Sequence, residues 1–256
     1  MSALSALSAL SAAELVYCAC VLLFAYGLRG STGFGGAAGM PLLALVVPIK
    51  ILVPLWTLLG LASSLAIIGK DRKHVAVKEF VRFIPWCLLG VAAGLYVFAA
   101  LDASTLARGL GVLVIVYAAQ VFWGTLRPAC VSHPPSQLSR AVGPFAAWLA
   151  GVVGAVFGTM ATVFFAMYLD ASAMAKTAFR ATMSAMLLTL CVARGIGYWV
   201  VGEFTREVWI AFAMAFPLML IGIWAGDRIH VRLSELAFKR LICLVLLICG
   251  IPLLLS

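Results

Sequence analysis

Gly30-Ser31-Thr32-Gly33-Phe34-Gly35-Gly36-Ala37-Ala38-Gly39 is the stretch that decides the fold. It interrupts an apolar block, residues 15–48, that is too long for one straight crossing, since a spanning helix needs about 20 residues. Glycines this dense let a membrane helix unwind, and the freed N–H groups and half-helix N-termini can then hold an anion. Ser31 and Thr32 add two hydroxyl donors. The competing reading is that small residues only let helices pack closely. A second overlong block, 141–169, is interrupted in the same way by Gly151, Gly154 and Gly158. Two such breaks in corresponding places favour a binding element over packing alone.

Six further apolar blocks, 51–69, 83–101, 109–126, 181–201, 208–226 and 241–255, follow one another with short gaps that leave no room for a soluble domain. The chain is 65% hydrophobic and 11% charged, where soluble domains hold roughly 45–50% apolar and about 25% charged residues. A water-soluble fold is excluded, and the expected class is an all-α, polytopic helical membrane protein. The net charge of +9 sits in short clusters between apolar segments, as in cytoplasmic membrane loops, and does not point to nucleic acid. No Lys or Arg precedes Arg29, so the N-terminus lacks the basic region of a secretory signal and is expected to be retained. The seven cysteines form no metal-ligand spacing with His74, His133 or His230 and read as small core residues.

The two halves resemble each other. Gly30 and Gly33 match Gly151 and Gly154 at one offset; Pro85, Gly90, Gly94, Leu101 and Arg108 match Pro217, Gly222, Gly226, Leu233 and Arg240 at another. This argues for an internal repeat of two four-segment halves, residues 1–126 and 141–256, joined by a linker at 127–140 that contains Pro128, Pro134 and Pro135.

Charge separates two topologies. If each glycine-broken block crosses once, the loop positives divide eight against six, with no asymmetry. If each block instead folds back to its starting side, eleven positives (in 70–82, 127–140 and 227–240) face three (Lys50, Arg108 and Arg206), which obeys the positive-inside rule. The second arrangement makes the repeats inverted and is the one expected, with both termini periplasmic.

Arg194 lies inside block 181–201, Arg180 opens it, and Lys176 lies one turn earlier on the same face. An arginine in mid-membrane costs roughly 2.5–3.5 kcal/mol on the lenient insertion scale, so it has a functional or paired role. Together these residues could form a cationic pocket, with arginine offering a planar fork to oxyanion oxygens. Alternatively, Lys176 and Arg180 anchor at the interface and Arg194 pairs with Asp170 or Glu203. Glu14, Asp170 and Glu203 stand near block ends, where carboxylates are ordinarily solvated. Phe164, Phe165 and Trp199 read as core or lipid packing. There is no Walker-type phosphate loop, nucleophile elbow, HExxH or CxxC, so neither an enzyme nor ATP-driven transport is expected.

Gly33-Phe34-Gly35-Gly36 followed by Met40-Pro41-Leu42 resembles the first-helix motif of the sulfite exporter TauE/SafE family. Gly151 to Gly158, and then Lys176-Thr177-Ala178-Phe179-Arg180-Ala181-Thr182, are similar to its second-repeat motif, although Thr159-Met160-Ala161-Thr162 stands where glycines and prolines are usual. The resemblance implies a bacterial inner-membrane exporter of sulfite, sulfoacetate or a related organosulfonate. The candidate substrate-binding set is Ser31, Thr32, Gly33, Gly35, Gly36, Gly154, Gly158, Thr159, Thr162, Lys176, Arg180 and Arg194. No cofactor is expected. The expected partners are a small anion and the bilayer, with homodimerisation left open. An anion or small-solute channel and a non-transporting scaffold are the alternatives.

Overall fold

The computed structural model describes residues 11–32, 36–71, 74–126, 137–158, 161, 164–165, 176–228 and 252. Its helices are α1 (Ala12–Thr32), α2 (Gly36–Leu43), α3 (Ile49–Asp71), α4 (Val77–Ala100), α5 (Ala103–Leu126), α6 (Gln137–Phe157), α7 (Lys176–Val201) and α8 (Arg206–Arg228). Among the described residues six helices, α1, α3, α4, α5, α7 and α8, are long and apolar enough to cross a bilayer, and Gly143–Phe157 of α6 is a shorter apolar stretch. The chain is a polytopic helical membrane protein. The block at 241–255 lies, but for Pro252, outside the described residues.

Helix ends follow local chemistry. Ser11 and Glu14 form a capping box at the start of α1: the Ser11 N–H and Oγ donate to Glu14 Oε2 at 2.7 and 2.9 Å, and the Glu14 N–H donates back to Ser11 Oγ at 3.3 Å. Glu14 is therefore a cap rather than a merely solvated carboxylate. Asp102 caps α5 by accepting from the Thr105 N–H at 3.3 Å, the Thr105 hydroxyl at 2.6 Å and the Ser104 hydroxyl. These bonds hold its carboxyl well below the usual range. A Schellman motif closes α7: Gly202, at φ +82°, donates to Trp199 O, and the Glu203 N–H donates to Tyr198 O at 2.9 Å. Helix α4 starts six residues before its apolar block because Lys78, Glu79 and Arg82 are helical but polar, and a run of hydrophobic residues ends before the helix does.

The chain forms two compact units, one of Met1–Leu52, Leu101–Val131 and Met214–Ser256, the other of Val53–Ala100 and Ser132–Ala213. Each draws on both sides of the proline-containing linker.

In the first unit the Tyr17 hydroxyl donates to the Leu42 carbonyl at 3.1 Å. The chain that leaves α1 at Thr32 has thus come back by the end of α2 to the level of Tyr17, near where α1 began. Helix α1 also crosses α8 at close range. A Cβ on Gly30 would lie 2.5 Å from the Ile223 carbonyl oxygen, one on Gly226 would overlap the Gly27 carbonyl, and one on Gly222 would meet the Leu23 carbonyl at 3.1 Å.

In the second unit α4, α6 and α7 run parallel. Gly90 and Gly94 of α4 meet Trp148 and Val152 of α6 in that order, and Ala76, Leu95 and Phe98 meet Thr182, Gly197 and Tyr198 of α7. Consecutive parallel helices oblige the chain between them to return, and it does so at once. Gly158 has φ +71°, a Cβ on Gly154 would meet the Ala161 Cβ at 3.0 Å, and the Phe165 ring already packs edge-on against Phe83 near the start of α4, at 5.2 Å. Both glycine-broken blocks therefore fold back instead of crossing once.

Buried hydroxyls in these apolar helices bond to backbone. Thr57 and Ser63 donate to the Val53 and Gly60 carbonyls at 2.9 and 3.0 Å. Thr182 accepts from the Ala76 N–H at 2.9 Å, which ties the N-terminus of α4 to α7.

Candidate anion site at the end of the second broken helix

A helix leaves its last carbonyls without intrahelical donors where it stops. Helix α6 stops at Phe157 because Gly158 turns the chain, its N–H still closing a bond to the Gly154 oxygen at 3.0 Å. Side chains of α7 complete the end. Arg194 and Tyr198 are four residues apart and share a face. The guanidinium donates through Nη1 to the Gly154 oxygen, and the Tyr198 hydroxyl donates to the Ala155 oxygen. Tyr198 is held in turn by Phe98 and Phe204, with ring centroids 5.1 and 6.3 Å away in edge contacts.

Arg194 is 2% exposed and is among the largest fully buried side chains. Its Nη2 reaches Cys191 Sγ at 3.8 Å, and its Nε, also buried, has no hydrogen-bond partner among the described residues. Neither described partner is a carboxylate. Of the two carboxylates the sequence offered, Glu203 follows the end of α7 and Asp170 lies outside the described residues. A helix C-terminus carries roughly half a negative charge, so the end of α6 offsets about half of the guanidinium's charge. The rest of that charge, and the Nε–H left without a described partner, are what this place offers an oxyanion. Charge-assisted bonds to such a group are the strong ones.

Of the other sequence-derived candidates, Gly154 supplies the carbonyl and Gly158 the turn, so the structure brings both to Arg194. Ser31 and Thr32 end α1 and Gly36 opens α2, while Lys176 and Arg180 lie in the first turns of α7; for Ser31, Thr32, Lys176 and Arg180 only the backbone is described. Gly33, Gly35, Thr159 and Thr162 lie outside the described residues. Arg194 is almost five turns beyond Lys176 along α7, so the helix itself separates these cations by about 27 Å at 1.5 Å per residue.

Sequence reasoning missed two residues. Tyr198 was legible as the i+4 neighbour of Arg194. Arg29 is buried at 6% exposure within α1, next to the Gly30 crossing, and the cost argument applied to Arg194 would have found it.

The model of the family described as Sulfite exporter TauE/SafE matches residues 18–253, nearly the whole chain. The chain belongs to the TauE/SafE family. No curated protein and no solved structure matches it. TauE/SafE proteins are membrane transporters and not enzymes, and membership points to export of sulfur anions and a small anionic substrate.

Proposed function

We propose that this TauE/SafE protein is a secondary transporter that exports sulfite or an organosulfonate such as sulfoacetate across the bacterial inner membrane. The observation that carries this reading is Arg194: a buried guanidinium beside a helix break, with neither a carboxylate nor an acceptor for its Nε–H among the described residues. The residues that take part are Arg194 with Gly154 and Gly158, and, from the sequence pattern, Ser31, Thr32, Gly33, Gly35, Gly36, Thr159 and Thr162, with Lys176 and Arg180 as a second cationic group at the opposite end of α7. An interior-negative potential favours anion exit by about 2.3 kcal/mol per charge per 100 mV, so export requires no ATP.

The two halves act as inverted repeats, with both termini periplasmic. Three features support this: the fold-back of both broken blocks, the eleven-to-three division of loop positives, and the matched glycine crossings. Gly90 and Gly94 of one half pack on α6 as Gly222 and Gly226 of the other pack on α1.

The test is time-resolved efflux of sulfite, sulfoacetate, taurine and thiosulfate from liposomes that contain the purified protein. Saturable efflux of a sulfur anion, lowered in Arg180→Ala and Arg194→Ala while both variants remain folded, is the expected result. Non-saturating flux would replace the transporter with a channel, and flux no greater than in protein-free liposomes would sink the proposal.

A further inference from the structure

Broken helices in ion-coupled carriers present two kinds of end: N-termini that face anions, and C-terminal carbonyls that coordinate the coupling cation. Helix α6 has an end of the second kind, but a cation of the protein's own stands there. The Arg194 guanidinium shares the Gly154 oxygen with the Gly158 N–H, and the Tyr198 hydroxyl takes the Ala155 oxygen. Arg194 is 2% and Tyr198 0% exposed, so both contacts are closed to water. The side chains come from one face of one helix, and Tyr198 is wedged between two aromatic rings. They are part of the packed unit, not a pair of mobile surface groups.

We propose that Arg194 is a resident cation, fixed where a sodium ion would sit in a coupled carrier, and that this protein therefore moves its anion without sodium. Tyr198 is a positioning residue that holds the neighbouring carbonyl and keeps the end of α6 seated. An arginine guanidinium is not deprotonated in proteins, so its charge is permanent. The positive end therefore stays in place through the whole cycle, whereas a bound metal ion would have to arrive and leave. The inference rests on the export reading and adds to it the identity of the coupling cation: none is required.

Sulfite efflux from proteoliposomes is the test, with sodium, potassium or choline as the cation on both sides. Wild-type initial rates are expected to agree within about twofold, below the roughly fivefold minimum typical of a coupled site. Arg194→Lys, which keeps the charge and loses the planar fork, gives saturable flux lower than wild type and higher than Arg194→Gln. Arg194→Gln, which keeps a hydrogen-bond donor and loses the charge, falls by about tenfold or more and recovers in millimolar guanidinium. Sodium-dependent wild-type flux overturns the coupling inference and leaves the export reading intact. Equal flux in the Lys and Gln variants also overturns it, because the end of α6 then needs a donor and not a cation. Absence of wild-type flux in every medium overturns the export reading and this inference together.

Discussion

Gly151→Ala and Gly195→Ala are the same chemical change at two places with opposite surroundings. A Cβ on Gly151 would overlap the Cys87 carbonyl oxygen and lie 2.9 Å from the Val91 nitrogen, both backbone atoms of α4. Neither can move aside as a side-chain tip can, so α4 and α6 must separate along their crossing. Gly195 has nothing within 4 Å of the added carbon. Overpacking a tight contact costs about 1–3 kcal/mol. Alanine in a helix interior gains up to about 1 kcal/mol over glycine, and at Gly151 this offsets only part of the cost. The net expectation is a loss of about 0–3 kcal/mol for Gly151→Ala and a gain of up to about 1 kcal/mol for Gly195→Ala, the propensity gain being common to both so that they differ by about 1–3 kcal/mol. At about 2–4 °C per kcal/mol for a chain of this size, the two melting temperatures should differ by roughly 2–12 °C, with Gly195→Ala the higher. A thiol-reactive dye in detergent reads the transition, because the thiols of Cys87 and Cys191 are buried until the second unit opens. Equal melting temperatures, or a more stable Gly151→Ala, would refute the claim that backbone contact sets this crossing.

Tyr198→Phe keeps the ring contacts and removes the donor to the Ala155 oxygen; leaving that carbonyl unsatisfied should cost about 1–3 kcal/mol and lower the melting temperature by several degrees. Wild-type stability indicates that the hydroxyl is idle. Asp102→Ala should lower the melting temperature at neutral pH. Because the folded carboxyl titrates below its ordinary value, the Asp102 contribution is complete above about pH 4 and declines as the pH falls further, so the gap to wild type should narrow in acid. A gap that widens in acid would contradict the capping role. A reporter fused after Ser256 should be active only in its periplasmic form; cytoplasmic activity there rejects the inverted arrangement. Gly30→Ala, which would bring a Cβ to 2.5 Å from the Ile223 oxygen, should destabilise the protein as Gly151→Ala does, and indifference at Gly30 would separate the two crossings.

Much of the fold was legible in the amino-acid order because the bilayer imposes a length and a polarity on every spanning segment. Apolar run length located α3, α4, α5, α7 and α8, and glycine density marked both breaks. Helix starts were less legible. Polar first turns such as Val77–Arg82 carry no hydrophobic signal although they are helical. At the candidate site, Arg194 was visible from the cost of its charge, and Gly154 and Gly158 from the break. Tyr198 could be placed on the face of Arg194 by its i+4 spacing, but only a contact distinguishes a phenol that caps a helix from one that packs against lipid.

What the sequence determined by itself is what depends on composition or on neighbours a few residues away: a multi-pass helical membrane protein, and glycines where the chain can break. What only the tertiary structure decided are the partners of those features. Arg194 meets a carbonyl 40 residues away, Tyr198 one 43 residues away, and Leu42 returns to Tyr17 across 25. No local pattern specifies such pairs. A helix end in a low-dielectric interior must find donors wherever packing supplies them, and which helix arrives there is settled when the glycine faces close on one another.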